Sequence, residues 1–240
     1  MKYFQMLCFT FFLFISSSLK AQEDTVTARL NQSNDWPQLR RYRDQNIKAG
    51  LPSANENRVV FMGNSITDAW INIDPDFFNN HPYLDRGISG QTSPQMLVRF
   101  RQDVIDLMPK AVAILAGIND IAENTGPSSL PMIENNLMSM AQLAKANNIK
   151  VVLCSVLPAA AFPWRPAIDP VQSIIELNKW IKNYAAQNNF VYVDYYDAMV
   201  DSRKGLPSNL SKDGVHPTLE GYRIMEPLLV KGIEKALKHK

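Results

Sequence analysis

The chain has 240 residues, 46% hydrophobic and 20% charged, with apolar residues spread along its whole length. That balance excludes collagen-like, low-complexity and fully disordered classes. Formal net charge is +2, from 25 basic and 23 acidic residues. Lys2 and Lys20 lie in an acid-free N-terminal stretch, so the remainder is neutral. A neutral chain without a basic block gives no electrostatic reason to expect nucleic acid or an anionic membrane surface as a partner.

Residues 1–21 read as a secretory signal peptide. Lys2 supplies the positive start, residues 3–15 are nearly all apolar, and Ser16 to Ser18 lead into Leu19-Lys20-Ala21, with Ala21 at the expected cleavage position. The apolar run is shorter than the roughly 20 residues of a membrane span, so no stable membrane anchor is expected. Cys8 lies inside this run and not at the cleavage point, which argues against a lipid-modified cysteine. The expected location is therefore periplasmic or extracellular. A mature chain would keep one cysteine, Cys154, and no internal disulfide; its apolar neighbours make it a core residue. Residues 22–49, with Trp36-Pro37 and the charged run 40–44, read as an N-terminal helical extension of a single domain spanning 22–240.

Short apolar runs alternate with amphipathic ones. Strands are expected at 58–62, 83–88, 111–116, 150–156 and 190–194. Their continuous hydrophobicity implies burial on both faces, as in a parallel sheet. Between them, Ser93-Pro94 reads as an N-cap and first-turn proline that start a helix with Met96, Phe100, Val104 and Leu107 on one face. Ile133, Leu137, Met140 and Ala144 mark a second helix. Asp169-Pro170 opens a third, facing inward with Ile174, Leu177, Ile181 and Tyr184. Tyr222, Met225, Leu229 and Ile233 mark the last, with a bend expected at Pro227. Strand and helix alternating about five times predicts one doubly wound, three-layer α/β/α domain.

In such a domain chemistry gathers beyond the carboxyl ends of the strands. The expected strand ends lead into Gly63-Asn64-Ser65, Gly87-Ile88-Ser89-Gly90, Gly117-Ile118-Asn119-Asp120, a loop containing Phe162-Pro163-Trp164-Arg165-Pro166, and Asp213-Gly214-Val215-His216. Ester cleavage by acyl transfer needs a nucleophile, a base, a group that orients the base, and donors for an oxyanion. Ser65, His216 and Asp213 fit the first three roles. The N–H groups of Ser65 and Gly90 and the side-chain amide of Asn119 fit the fourth. Each alone has a plainer reading: Ser65 as a cap, Asn119-Asp120 and Asp213-Gly214 as turns, His216 as a structural histidine. Their joint occurrence in one order at successive strand ends favours chemistry.

Four of these segments, Gly63-Asn64-Ser65-Ile66-Thr67, Gly87-Ile88-Ser89-Gly90, Gly117-Ile118-Asn119-Asp120 and Asp213-Gly214-Val215-His216-Pro217, resemble the four sequence blocks of the SGNH (GDSL-type) hydrolases, over about residues 58 to the last helix. The resemblance implies a flavodoxin-like fold and a metal-independent serine esterase without a cofactor. It assigns Ser65 as nucleophile, Asp213 and His216 as its triad partners, and Gly90 and Asn119 to the oxyanion hole. One departure is Asn64, where many members carry Asp just before the serine.

Substrate is read less directly. No insertion resembles a hydrophobic lid, which favours a small ester with a short acyl chain. Trp164 can stack on a sugar and Arg165 can hold an acidic group, although both equally suit a stiff loop. Export and an aromatic rim lean toward acetyl groups on extracellular carbohydrate. Lysophospholipase or thioesterase activity, and a non-catalytic carbohydrate-binding module on the same fold, stay open. Three scattered histidines and no His-Glu-x-x-His helix give no metal site. Trp70 reads as a core residue.

Overall fold

The computed structural model describes residues 35–238. The signal-peptide reading and the 22–34 part of the expected extension lie outside the described residues. The chain divides into two units, Met1–Arg40 and Arg41–Lys240. In the first, residues 35–40 form a turn in which the Asp35 carbonyl and carboxylate accept the N–H groups of Gln38 and Leu39, each at 2.8 Å.

The second unit holds five strands, β1 (Val59–Gly63), β2 (Tyr83–Gly87), β3 (Ala111–Leu115), β4 (Lys150–Cys154) and β5 (Val191–Val193). They form one parallel sheet in the order β2-β1-β3-β4-β5. This is the doubly wound α/β architecture expected from the sequence, and every strand overlaps its apolar run. All five residues of β1 and of β3 are buried, as central strands covered on both faces must be. The order in which strands are added reverses between β1 and β3, which places a crevice at their carboxyl ends.

The helices are α1 (Arg43–Ala49), α2 (Ser65–Ile73), α3 (Pro75–Asn79), α4 (Ser93–Asp103), α5 (Ile118–Ile121), α6 (Leu130–Ala146), α7 (Val171–Asn188), α8 (Tyr195–Met199) and α9 (Leu219–Lys238). The expected inward faces of α4, α6, α7 and α9 are buried through Phe100, Leu137, Leu177 and Leu229. The last helix continues from Leu219 to Lys238 with Pro227 inside it. Trp70 is a core residue, stacked on Phe77 at 5.2 Å and surrounded by Phe61, Phe78 and Tyr222.

Two expectations are corrected. The cap of α4 is Thr92 and not Ser93: extended Thr92 forms a reciprocal capping box with Gln95, while Ser93 is the first helical residue. Residues 213–216 do not follow a strand directly. After β5 the chain forms α8, and 213–216 lies in the loop before α9. The docking of α9 brings this loop to the sheet: the Tyr222 hydroxyl donates to Ile66 O at 2.7 Å, and the Trp70 indole N–H to Glu226 at 3.1 Å.

A buried polar network lies under the strand ends. Arg99 and Asp103 on α4 form an ion pair at 3.1 Å with both side chains fully buried. The Arg99 guanidinium also donates to Gly63 O at 3.1 Å, to Arg86 O at 2.8 Å and to the Gln91 side chain at 2.6 Å. Beside it, buried Asp85 accepts the Gly87 N–H at 2.7 Å through one oxygen, while the other has no partner. Desolvation pushes the Asp85 carboxyl up to about 7, against the lowering pull of the Gly87 N–H and Arg86.

Arg99→Met strands the Asp103 carboxylate and two strand-end carbonyls in the interior. We expect a loss of about 3–5 kcal/mol in urea unfolding, the cost of breaking a buried pair; a loss under 1 kcal/mol would contradict the network's role. For Asp85 the sign follows from proton counts. Between about pH 4, where an unfolded Asp ionises, and about 7, the folded chain holds a proton that the unfolded chain has lost. Stability contributed by this group therefore falls as pH rises through that window. Asp85→Asn is expected to shrink the difference between urea midpoints at pH 5 and pH 8.

Candidate active site

Ser65 is the first residue of α2, directly beyond the end of β1. Asn64 caps this helix, its side-chain oxygen accepting the Ile66 N–H at 3.0 Å. The helix start turns the Ser65 hydroxyl toward the C-terminal loop, where Ser65 Oγ lies 2.9 Å from His216 Nε2. His216 Nδ1 lies 2.7 Å from Asp213 Oδ2. Asp213 Oδ1 in turn accepts the backbone N–H groups of Val215 and His216 at 2.9 and 2.8 Å and the Ser211 hydroxyl at 3.1 Å.

Partial burial works to raise the Asp213 pKa. The bonds from the His216 backbone and ring and from the Val215 N–H outweigh it and hold the carboxyl at about 2. At neutral pH Asp213 is thus an acceptor only, which places the imidazole hydrogen on Nδ1. Neutral His216 then presents Nε2 as an acceptor to the Ser65 hydroxyl. The arrangement can take a proton from Ser65 and keep the resulting imidazolium paired.

The oxyanion candidates converge on the same strand ends. Residues 88–91 form a turn closed by Gln91 N–H to Ile88 O at 3.2 Å, with Gly90 at φ +78°. That backbone is the third position of a type II turn, which a side chain would strain. Asn119 lies on α5 beyond β3 and is buried; its amide donates one hydrogen to Gln91 O at 2.9 Å. The amide carries a second hydrogen besides the one given to Gln91 O. Asp120, next to it, accepts the Ser93 N–H at 2.9 Å and hydroxyl at 2.6 Å, fixing α5 to the start of α4.

Of the two rim candidates, Trp164 stands beside the relay, its ring centroid 6.2 Å from that of His216. It stacks on buried Phe162 at 5.3 Å, its indole N–H donates to Asn124 at 3.0 Å, and 40% of the residue stays exposed. Arg165 instead donates to Glu123 O at 3.4 Å, and no contact joins it to Ser65 or His216 among the described residues. Among the described residues there is also no cluster of three His, Cys, Asp or Glu side chains able to hold a metal ion. Burial pushes the Cys154 thiol up to about 12, so it is a core group with no thiolate character.

Sequence reasoning missed several residues that touch the candidate site: Tyr42, Asp68, Gln91 and Arg99. Arg99 and Asp103 left one signal, opposite charges spaced i, i+4 beside the apolar face of α4. The others touch the site through tertiary contacts that no local pattern carries.

The chain is similar to several known proteins. A structure from Bacteroides fragilis NCTC 9343, described as an acylhydrolase, is 53% identical, covers 86% of this chain and all of its own, and superposes with a TM-score of 0.84. A GDSL-like lipase from Bacteroides thetaiotaomicron VPI-5482 is 52% identical over 83% of this chain and 98% of its own, with a TM-score of 0.81. An acetylxylan esterase from Geobacillus stearothermophilus is 25% identical over 62% of this chain and 71% of its own. The profile of the GDSL-like lipase/acylhydrolase family matches residues 61–224, well over half the sequence, and the chain belongs to that family.

Proposed function

We propose that the protein is a serine esterase that removes short acyl groups, acetyl foremost, from esters of carbohydrate. The observation that carries this reading is the unbroken relay from Ser65 Oγ through His216 to Asp213, at 2.9 and 2.7 Å. His216 Nε2 takes the hydroxyl proton as Ser65 attacks the ester carbonyl. The N–H groups of Ser65 and Gly90 and the Asn119 amide receive the negative charge on the carbonyl oxygen, helped by the positive end of α2. His216 returns its proton to the departing alcohol, and a water molecule repeats the sequence on the acyl-enzyme.

The acyl group is small because the rim carries no long apolar insertion to receive a chain. A carbohydrate leaving group is supported by the half-exposed Trp164 ring beside His216, an apolar platform held rigid by Phe162 and Asn124. It is supported too by the name of the Geobacillus stearothermophilus relative, an acetylxylan esterase. Such a substrate lies outside the cell, which suits the export read from Lys2, the apolar residues 3–15 and Ala21.

The test is turnover of p-nitrophenyl esters from acetate to palmitate. Rates should be highest on acetate, fall with chain length and vanish in Ser65→Ala. Equal turnover in both proteins would overturn Ser65 as the nucleophile, and no turnover on any ester would put a binding role in place of catalysis. Asn119→Ala should raise the barrier by about 3 kcal/mol, roughly a hundredfold in kcat, with KM little changed. Trp164→Ala should raise KM several-fold for acetylated xylo-oligosaccharides and far less for p-nitrophenyl acetate; parallel changes on both would remove the sugar platform from the reading.

A further inference from the structure

The tip of the 88–91 turn, Ser89 and Gly90, is exposed, yet the Gly90 N–H must hold a fixed direction to serve an oxyanion. The contacts that hold this turn come from two places outside the sequence blocks. Asp68 lies one turn along α2 from Ser65, and its Oδ2 accepts both the Ser89 N–H at 3.1 Å and the Ser89 hydroxyl at 2.6 Å. Its other oxygen pairs with the Arg41 guanidinium at 3.3 Å. The hydroxyl of Tyr42 donates to Gly87 O, at the root of the same turn. The Tyr42 ring is buried, with the guanidinium carbons of Arg41 and Arg86 each 4.8 Å from its centroid. The α2 backbone presses directly on Gly87, where an added Cβ would meet Asp68 N at 2.1 Å.

We propose that Asp68 and the Arg41-Tyr42 step form a brace that aims the Gly90 N–H, and that Asp68 and Tyr42 are positioning residues for the oxyanion hole. Asp68 ties the helix that begins with Ser65 to the turn that carries Gly90, so the two backbone donors keep one spacing. Tyr42 fixes the root of the turn, Asp68 its exposed tip, and Arg41 keeps the Asp68 carboxylate paired. Arg41 and Tyr42 precede the segment 61–224 that matches the family, so the N-terminal part of this chain acquires a role in catalysis without touching substrate. The brace rests on the reading of Ser65 as nucleophile with the Ser65 and Gly90 N–H groups as donors.

The experiment measures kcat and KM on p-nitrophenyl acetate, with thermal unfolding, for the wild type, Ser65→Ala, Tyr42→Phe, Asp68→Ala, Ser89→Ala and the Asp68→Ala/Ser89→Ala pair. Tyr42→Phe and Asp68→Ala should each lower kcat roughly tenfold, a fraction of the 10²–10³ that a whole oxyanion donor is worth, with KM within about twofold. The double variant should be no slower than Asp68→Ala alone, because both substitutions cut one link. Full kcat in Tyr42→Phe and Asp68→Ala, multiplying losses in the double variant, or losses that follow the unfolded fraction would overturn the brace and leave the esterase standing. Wild-type protein with no Ser65-dependent turnover would overturn both.

Discussion

A buried guanidinium governs how the strand ends meet. Arg99 gives up water entirely, and its hydrogens go to the carbonyls that end β1 and β2, to the Gln91 side chain and to Asp103. A lone charge in that place would be prohibitive; paired and fully bonded, it ties segments that hydrophobic packing alone would leave free to slide. Gln91 links this centre onward, since its carbonyl receives the Asn119 amide. The serine, the glycine turn and the asparagine thus hang from one ionic centre lying beneath them. The floor of the site is polar and rigid, while its rim is aromatic.

Local pattern carried most of the fold. Continuous apolar runs mark strands buried on both faces, and their positions differ from the observed ones by a few residues at most. Ser65, Asp213 and His216, which the fold brings together, could be singled out because their motifs occur jointly and in one order near expected strand ends, although each alone has a plainer reading. The cap of α4 was misread because Thr92 and Ser93 are both good caps, and only the backbone conformation decides between them. The 213–216 loop was placed after a strand because periodicity does not reveal how far a chain travels between elements. Its true position depends on the docking of α9 through Tyr222 and Glu226.

What stayed illegible shares one physical cause. Apart from the Arg99–Asp103 pair, Arg99, Asp68 and Tyr42 make contacts such as those to Gln91, Ser89 and Gly87, 8 to 45 residues away, and a helix-face analysis sends charged side chains outward by default. Burial of a charge is decided by whether tertiary partners exist to receive it. Asp85 illustrates the same rule with a worse outcome, one of its oxygens being buried without a partner.

The bond between Ser65 and His216 spans 151 residues of sequence, joining the first strand of the sheet to the entrance of its last helix. Contacts of such long range form late, once most of the intervening chain has paid its ordering entropy. A chain that has built much of the sheet can therefore still lack the contact between His216 and Ser65. The Ser65–His216 contact is completed only when the loop before α9 is seated, so this pairing belongs to the whole fold and to no shorter piece of it.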